Sequence, residues 1–96
     1  MAKLDDAAVA RALEELPGWQ RQGDALVREF RFKNFREAMA FVNRVAELAE
    51  EQRHHPDITI RYNRVQLALT THEAGGITER DVELARKIAG LLAQGS

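Results

Sequence analysis

The sequence predicts an α+β fold in which three helices pack on one face of a four-stranded antiparallel sheet. Apolar residues recur at helical spacing in three segments and alternate with polar residues in most of four shorter ones. These segments follow the order helix, two strands, helix, two strands, helix. Neighbouring strands are separated by turns too short for the crossovers that parallel strands require. An antiparallel sheet with one face buried beneath helices satisfies this order.

The first helix and the first strand pair are predicted from capping and turn signals. Asp5 or Asp6 can cap a helix, and Pro17-Gly18 ends it. A short strand is expected from 19 to 22, with Gly23-Asp24 as the turn into a second strand. The apolar residues of these segments are Val9, Leu13, Leu16, Trp19, Leu26, Phe30 and Phe32.

The second and third helices carry clearer start signals. Asn34 with Glu37, and Thr78 with Asp81, have the spacing of capping boxes. Pro56 disfavours helical geometry at the preceding residue, so the second helix should end near 52 or 53. The apolar faces of the two helices contain Phe35, Ala38, Val42, Val45, Ala49, Leu84, Ile88 and Leu91.

Composition limits the class of protein. The chain has 96 residues, which predicts a single domain over 1–96, and no cysteine, which excludes a disulfide-stapled miniprotein. Its 14 basic and 15 acidic residues are interspersed, so nucleic acid is not an expected partner. Neither a signal-peptide core nor an apolar run of the roughly 18 residues that span a membrane is present, so a cytoplasmic protein is expected. A chain this short has a limited core, which favours a homodimer or homotetramer.

The last two strands form a predicted hairpin, and its register determines which residues lie opposite the histidines. A two-residue turn at Asn63-Arg64 makes opposed residue numbers sum to 127, which places His55 opposite His72. Cβ atoms of opposed residues lie roughly 4.5–5.5 Å apart. The two imidazoles are therefore predicted to meet on the polar face, away from the alternating residues Ile58, Ile60, Leu67 and Leu69.

The residue pattern alone leaves three interpretations of the histidines His54, His55 and His72 open. They can be ordinary polar residues, an acid–base site or a three-histidine metal site. Adjacent residues of a strand point to opposite faces, which disfavours joint metal ligation by His54 and His55. A serine nucleophile has little support, because Ser96 is the sole serine and ends the chain.

Four linked segments resemble the signature of the pterin-4a-carbinolamine dehydratases. They are Glu50 to Asp57 with its His-His-Pro triplet, Tyr62-Asn63, Thr70 to Glu73, and Thr78 to Asp81. The resemblance extends over essentially the whole chain. It implies a hydro-lyase that dehydrates 4a-hydroxytetrahydropterin to quinonoid dihydropterin, which recycles tetrahydrobiopterin for aromatic amino-acid hydroxylases.

The resemblance also implies which residues form the site. Its essential catalytic histidines fall on His54, His55 and His72, and its pterin-binding segments are His54 to Pro56 and Thr71 to Ala74, comprising His54, His55, Pro56, Thr71, His72, Glu73 and Ala74. Neither a metal nor an organic cofactor is expected, because the pterin itself carries the reactivity. An unperturbed imidazole titrates at about pH 6.5, so its acid and base forms coexist at neutral pH.

Three carboxylates are candidates to orient an imidazole. Glu50 lies one helical turn before His54, and Asp57 follows the histidine pair. Asp81 completes the resemblance, although its capping-box position gives it a structural explanation that we favour. The alternative to an enzyme is a non-catalytic dimerisation or assembly module on the same fold.

Overall fold

The computed structural model describes residues 2–94 and has the predicted architecture of three helices and one four-stranded antiparallel sheet. The helices are α1 (Asp6–Glu14), α2 (Phe35–Gln52) and α3 (Glu79–Gln94). The strands are β1 (Gln20–Gln22), β2 (Ala25–Arg31), β3 (Asp57–Arg61) and β4 (Arg64–Leu69), and a 3₁₀ turn covers His72–Ala74. Within the described residues, none of the helices has the length and apolar character needed to span a membrane.

The sheet has the order β1-β2-β4-β3, and its two faces differ sharply. One face carries buried apolar residues of the two central strands, Leu26, Phe30, Val65, Leu67 and Leu69. The helices cover this face with Val9, Ala38, Phe41, Val42, Val45, Ala49, Val82, Leu84, Ala85 and Ile88. The other face, which we call the open face, carries mostly polar side chains such as those of Glu29, Thr59 and Gln66.

Side-chain caps begin the helices where the sequence predicts them. Asp5 accepts a hydrogen bond from the Ala8 amide at 2.8 Å, and Asn34 accepts one from the Glu37 amide at 2.9 Å. Each bond satisfies an amide that has no partner within its helix. An exposed bond of 2.7 Å from Arg21 to Asp6 ties β1 to α1 and lowers the pKa of the Asp6 carboxyl.

The predicted hairpin register is wrong by two residues. The turn is Tyr62-Asn63, and opposed residues such as Ile58 and Leu67 have numbers that sum to 125. Tyr62 leaves the strand with φ 51°, while the backbone and side chain of Asn63 both bond to Phe32 at the end of β2. This tertiary anchor fixes the turn one position earlier than strand propensity favours.

The same shift separates the two histidines that we expected to oppose each other. The β3–β4 ladder begins at Asp57 opposite Ala68, so His55 precedes it. His72 lies beyond β4, in the 3₁₀ turn. A two-residue slip preserves which face each side chain occupies, so Ile58 and Ile60 still share a face with Leu67.

The apolar residues of α2 contribute to an aromatic part of the core. Phe41 is buried against Phe30 and Phe32, with ring centroids 4.8 and 5.0 Å apart. The exposed large hydrophobic side chains are Phe35, Ile58, Ile60 and Tyr62. Three of these belong to the edge strand β3 and its turn.

Candidate active site

The C-terminal end of α2 positions His54. Arg53 adopts the left-handed conformation with φ 53°, and its amide bonds to the Glu50 carbonyl at 3.3 Å. The His54 amide reaches back to the Ala49 carbonyl at 3.0 Å. These two bonds form a Schellman motif, which usually places glycine where Arg53 stands. The motif turns the chain inward, and His54 is buried with 7% of its surface exposed.

A buried polar network receives the His54 side chain. Its Nε2 lies 2.5 Å from Oδ1 of Asp81. The other oxygen of Asp81, Oδ2, accepts bonds from the Thr71 hydroxyl and the Thr78 amide, both at 2.9 Å. The hydroxyls of Thr71 and Thr78 are 2.8 Å apart. Among the residues whose burial the structure describes, these four are the buried polar ones, so they satisfy one another.

Asp81 therefore makes both of the interactions that the sequence offered as alternatives, the cap of a helix and the bond to an imidazole. Its Oδ2 caps the first turn of α3, as the capping box predicts, while its Oδ1 binds His54. An ionised carboxylate can only accept hydrogen bonds, so Nε2 of His54 donates the proton between them. This fixes the tautomer and leaves Nδ1 as the nitrogen with proton-accepting capacity.

His55 has a separate carboxylate partner in a more exposed setting. Its Nε2 lies 2.6 Å from Oε2 of Glu50, and 61% of the imidazole surface is exposed. Glu50 is on the last turn of α2, and the Schellman turn brings His55 back beside it. The two adjacent histidines thus face different carboxylates, one buried and one in contact with solvent.

His72 follows the network directly in sequence. Thr71 and Gly76 exchange backbone hydrogen bonds of 2.9 and 3.2 Å, which closes the loop between them. Gly75 enables this closure with φ 77°. The exposed His72 lies within the closed loop, next to the threonine that holds Asp81.

A shallow concavity of about 280 Å³ lies beside His54. Arg80 lines it and donates a bond of 2.5 Å to the Arg53 carbonyl, which links the start of α3 to the Schellman turn. The same guanidinium lies 3.9 Å from Glu73 in the closed loop. The remaining lining residues are Gln52, Glu79 and Glu83.

The structure unites some of the predicted site residues and separates others. His54 is joined to Asp81, and His55 to Glu50. Neither pair includes Asp57, which is exposed at the start of β3. Of the predicted binding residues not yet placed, Pro56 and Ala74 are half-buried and Glu73 is exposed.

Sequence reasoning missed two contributors, Thr78 and Arg80. Thr78 was recognised as a helix cap, but its spacing to Asp81 gives no sign of the bond to Thr71. Arg80 carried no signal beyond its place in the Thr-Glu-Arg-Asp segment. In the part of the chain that the structure describes, no group of three or more histidine, cysteine or acidic side chains could hold a metal ion.

The fold and these pairs define a small α+β protein in which two imidazoles are each bonded to a carboxylate. Residues 2–91 match the family model described as pterin 4 alpha carbinolamine dehydratase, and the chain belongs to this family. The match confirms the resemblance drawn from the sequence and places the protein among the hydro-lyases.

Individual relatives agree with this assignment. A protein of Thermomicrobium roseum provisionally named pterin-4-alpha-carbinolamine dehydratase is 80% identical over 91 residues, covering 95% of this chain and 98% of that protein. The solved structure of a transcriptional coactivator/pterin dehydratase from Brucella melitensis is 38% identical with a TM-score of 0.89, covering 93% of this chain and 97% of the other.

A second solved structure adds a different role. It is a pterin dehydratase-like protein identified as a RuBisCO assembly factor in the alpha-carboxysome. It is 27% identical to this chain with a TM-score of 0.65, and the match covers 77% of this chain and 88% of the other. Proteins that resemble this chain therefore include one described by an assembly role.

Proposed function

We propose that this protein eliminates water from 4a-hydroxytetrahydropterin to give quinonoid dihydropterin, by general acid–base catalysis with its histidines. The product would be reduced again to tetrahydropterin for aromatic amino-acid hydroxylases. The observation that carries the proposal is the bond between His54 and Asp81 inside a buried network of hydrogen bonds.

His54 is suited to act as the base. Its Nε2 proton is held by Asp81, so Nδ1 can accept the ring N–H proton of the pterin. Asp81 then stabilises the imidazolium, as the aspartate of a catalytic triad does for its histidine. The electron pair of the broken N–H bond forms the new double bond to C4a, and the C4a–O bond breaks.

A second imidazole must protonate the departing hydroxyl so that it leaves as water. His55 is suited to this role because it is exposed to solvent and can be reprotonated after each turnover. Glu50 fixes the orientation of its ring. His72 is the remaining candidate for substrate contact, on the loop held next to Asp81.

The pterin would lie against His54 to Pro56 and Thr71 to Ala74. The Thr71 hydroxyl is used inside the network, so that residue would contact substrate through its backbone. The reaction needs no cofactor, because the pterin contributes the electron pair itself. We propose that the reaction takes place in the cytoplasm.

A spectrophotometric assay with 4a-hydroxytetrahydropterin tests the proposal. His54→Gln keeps a donor for Asp81 but cannot take up a proton, and it should lower kcat by about 10²–10⁴-fold, the usual contribution of acid–base assistance. Glu47→Gln, an exposed change on α2, is the matched control and should retain the wild-type rate. A wild-type protein that leaves the uncatalysed rate unchanged would overturn the proposal.

Chelation tests whether the histidines act without a metal. Dialysis against a strong chelator should leave kcat unchanged, because each located imidazole partner is a carboxylate. Loss of activity on chelation and its return with zinc would contradict the acid–base proposal.

Assembly is the second candidate function. It is favoured by the exposed apolar residues of β3 and by the likeness to a protein with an assembly role. An assembly module does not need its histidines for chemistry. Wild-type protein would then leave the uncatalysed rate of dehydration unchanged, and His54→Gln would still capture the partner protein.

A further inference from the structure

Three arginines stand in one row across the open face of the sheet. Arg31 on β2 is opposite Arg64 on β4, and Arg64 is opposite Arg61 on β3. Directly opposed residues share a face, with Cβ atoms roughly 4.5–5.5 Å apart. The row lies at the hairpin end of β4, whereas the histidine site lies beyond its opposite end.

The charges of this row have no acidic partner within ion-pair distance among residues 2–94. Like charges placed directly opposite each other destabilise a sheet. The row therefore carries an electrostatic cost that a bound anion would remove.

The row is also held in place by the hairpin turn. The Phe32 amide donates to the Asn63 carbonyl at 2.8 Å, and Asn63 Nδ2 donates to the Phe32 carbonyl at 2.9 Å. These bonds join the turn between Arg61 and Arg64 to the residue that follows Arg31. The backbone positions of Arg31, Arg61 and Arg64 relative to one another are consequently fixed before any ligand binds.

Two of the arginines line a polar concavity of about 230 Å³. The other lining residues are Glu29, Thr59 and Gln66. Guanidinium groups match the geometry of phosphate oxygens. The hydroxyl of Thr59 and the side-chain amide of Gln66 add hydrogen-bond donors. Glu29 adds an acceptor, which is unfavourable for a bare anion but favourable for one that carries an O–H group.

We propose that this concavity binds a small phosphate species that also presents a hydroxyl. Arg61 and Arg64 bind the phosphate oxygens, Glu29 accepts the O–H hydrogen bond, and Arg31 adds attraction from the neighbouring strand. Inorganic phosphate and a hydroxylated phosphate ester both have this chemistry. The concavity is too small for a polymer path, and the chain's net charge of −1 gives no wider basic surface for one.

Thermal unfolding at constant ionic strength tests the site with phosphate, glycerol phosphate and sulfate. A ligand at ten times its Kd should raise Tm by roughly 5–10 °C in a domain of this size. Phosphate should stabilise the wild type more than sulfate does, because sulfate carries no proton at neutral pH. A larger shift with glycerol phosphate than with inorganic phosphate would identify an ester as the better ligand.

Two variants separate the contributions, and a third is the control. Arg64→Gln should weaken phosphate binding at least about tenfold by calorimetry, and should raise Tm in phosphate-free, low-salt buffer because it removes the repulsion. Glu29→Gln should remove the preference for phosphate over sulfate. Arg36→Gln, which changes an exposed arginine on α2 outside the row, should leave both results unchanged.

The proposal is overturned by equal shifts with phosphate, sulfate and matched chloride. It is also overturned if Arg64→Gln and Arg36→Gln weaken phosphate binding equally. Dehydratase activity does not enter either measurement, so the two proposals stand or fall separately.

Discussion

The carboxylate of Asp81 performs two tasks because its two oxygens point to different partners. Oδ2 completes the start of α3, while Oδ1 fixes the imidazole of His54. Burial makes both interactions important, since a buried polar group that loses its partner costs about 1–3 kcal/mol. In the proposed mechanism Asp81 is therefore a positioning residue, and its removal should affect stability and catalysis by different routes.

Asp81→Asn should reveal both effects. The new amide can still accept from the Thr78 amide, but its NH₂ group would face Nε2 and force the imidazole proton onto Nδ1. We expect kcat to fall roughly 10²–10⁴-fold with little change in KM, because the base is lost and the binding surface is not. Steady-state kinetics and thermal unfolding, with Glu47→Gln as control, measure the two effects. A variant that lost stability but kept kcat would show that Asp81 is only a helix cap.

The sequence predicts local features well and the contact between His54 and Asp81 poorly. Thr78 and Asp81 are three positions apart, so their capping geometry follows from spacing alone. His54 and Asp81 are 27 positions apart, and their bond depends on a left-handed Arg53 that no residue preference indicates. The family resemblance supplied Asp81 as a candidate orienting residue, whereas Glu50 was suggested by its position one helical turn before His54.

At the scale of elements, the end of α2 and the hairpin turn decide where the functional side chains lie. Both use a non-glycine residue at positive φ, Arg53 at 53° and Tyr62 at 51°. Such a conformation costs roughly 1–2 kcal/mol for most residues. The hairpin prediction failed at this point, because it kept Tyr62 in its strand when the anchors on Phe32 required it in the turn.

Arg53→Gly tests whether the Schellman turn is strained. Glycine adopts the left-handed conformation without a steric penalty, so the variant should be more stable by about 0.5–1 kcal/mol. Tm should rise by a few degrees, and activity should persist because the backbone bond from His54 to Ala49 remains. Glu47→Gly, at an exposed position inside the same helix, should instead lower Tm. Equal losses in the two variants would contradict the assignment of strain to Arg53.

At the scale of the whole molecule, the sheet has one edge that is apolar and exposed. All five residues of β3 are exposed, although Ile58 and Ile60 share the face that the helices cover elsewhere. An exposed apolar edge strand favours pairing with another chain. The alternation of β3 predicted a strand but could not show that the helices stop short of it.

We expect the protein to form a homo-oligomer in which the apolar side of β3, with Ile58 and Ile60, is buried. Ile60→Lys should shift sedimentation equilibrium at micromolar concentration towards the 10.9 kDa monomer, because a charge would be buried at the edge. Phe35→Lys, which changes an exposed aromatic residue on α2, distinguishes an interface at the β3 edge from one on the helix surface. A wild-type protein that sediments only as a monomer would refute the expectation, and dissociation by Phe35→Lys alone would move the interface to α2.

Because the Asp81 carboxylate binds both the Thr78 amide and His54, hydrogen exchange at that amide reports whether the site is intact. Whenever the first turn of α3 opens, the Thr78 amide loses its acceptor and exchanges its hydrogen with solvent. The same opening withdraws Asp81 from His54, so an open molecule also lacks the oriented imidazole that the proposed mechanism uses as its base. The protection of this single amide against deuterium therefore measures the fraction of molecules that are competent at any moment. The temperature at which that protection is lost sets the upper working temperature of the site, which can lie below the global Tm.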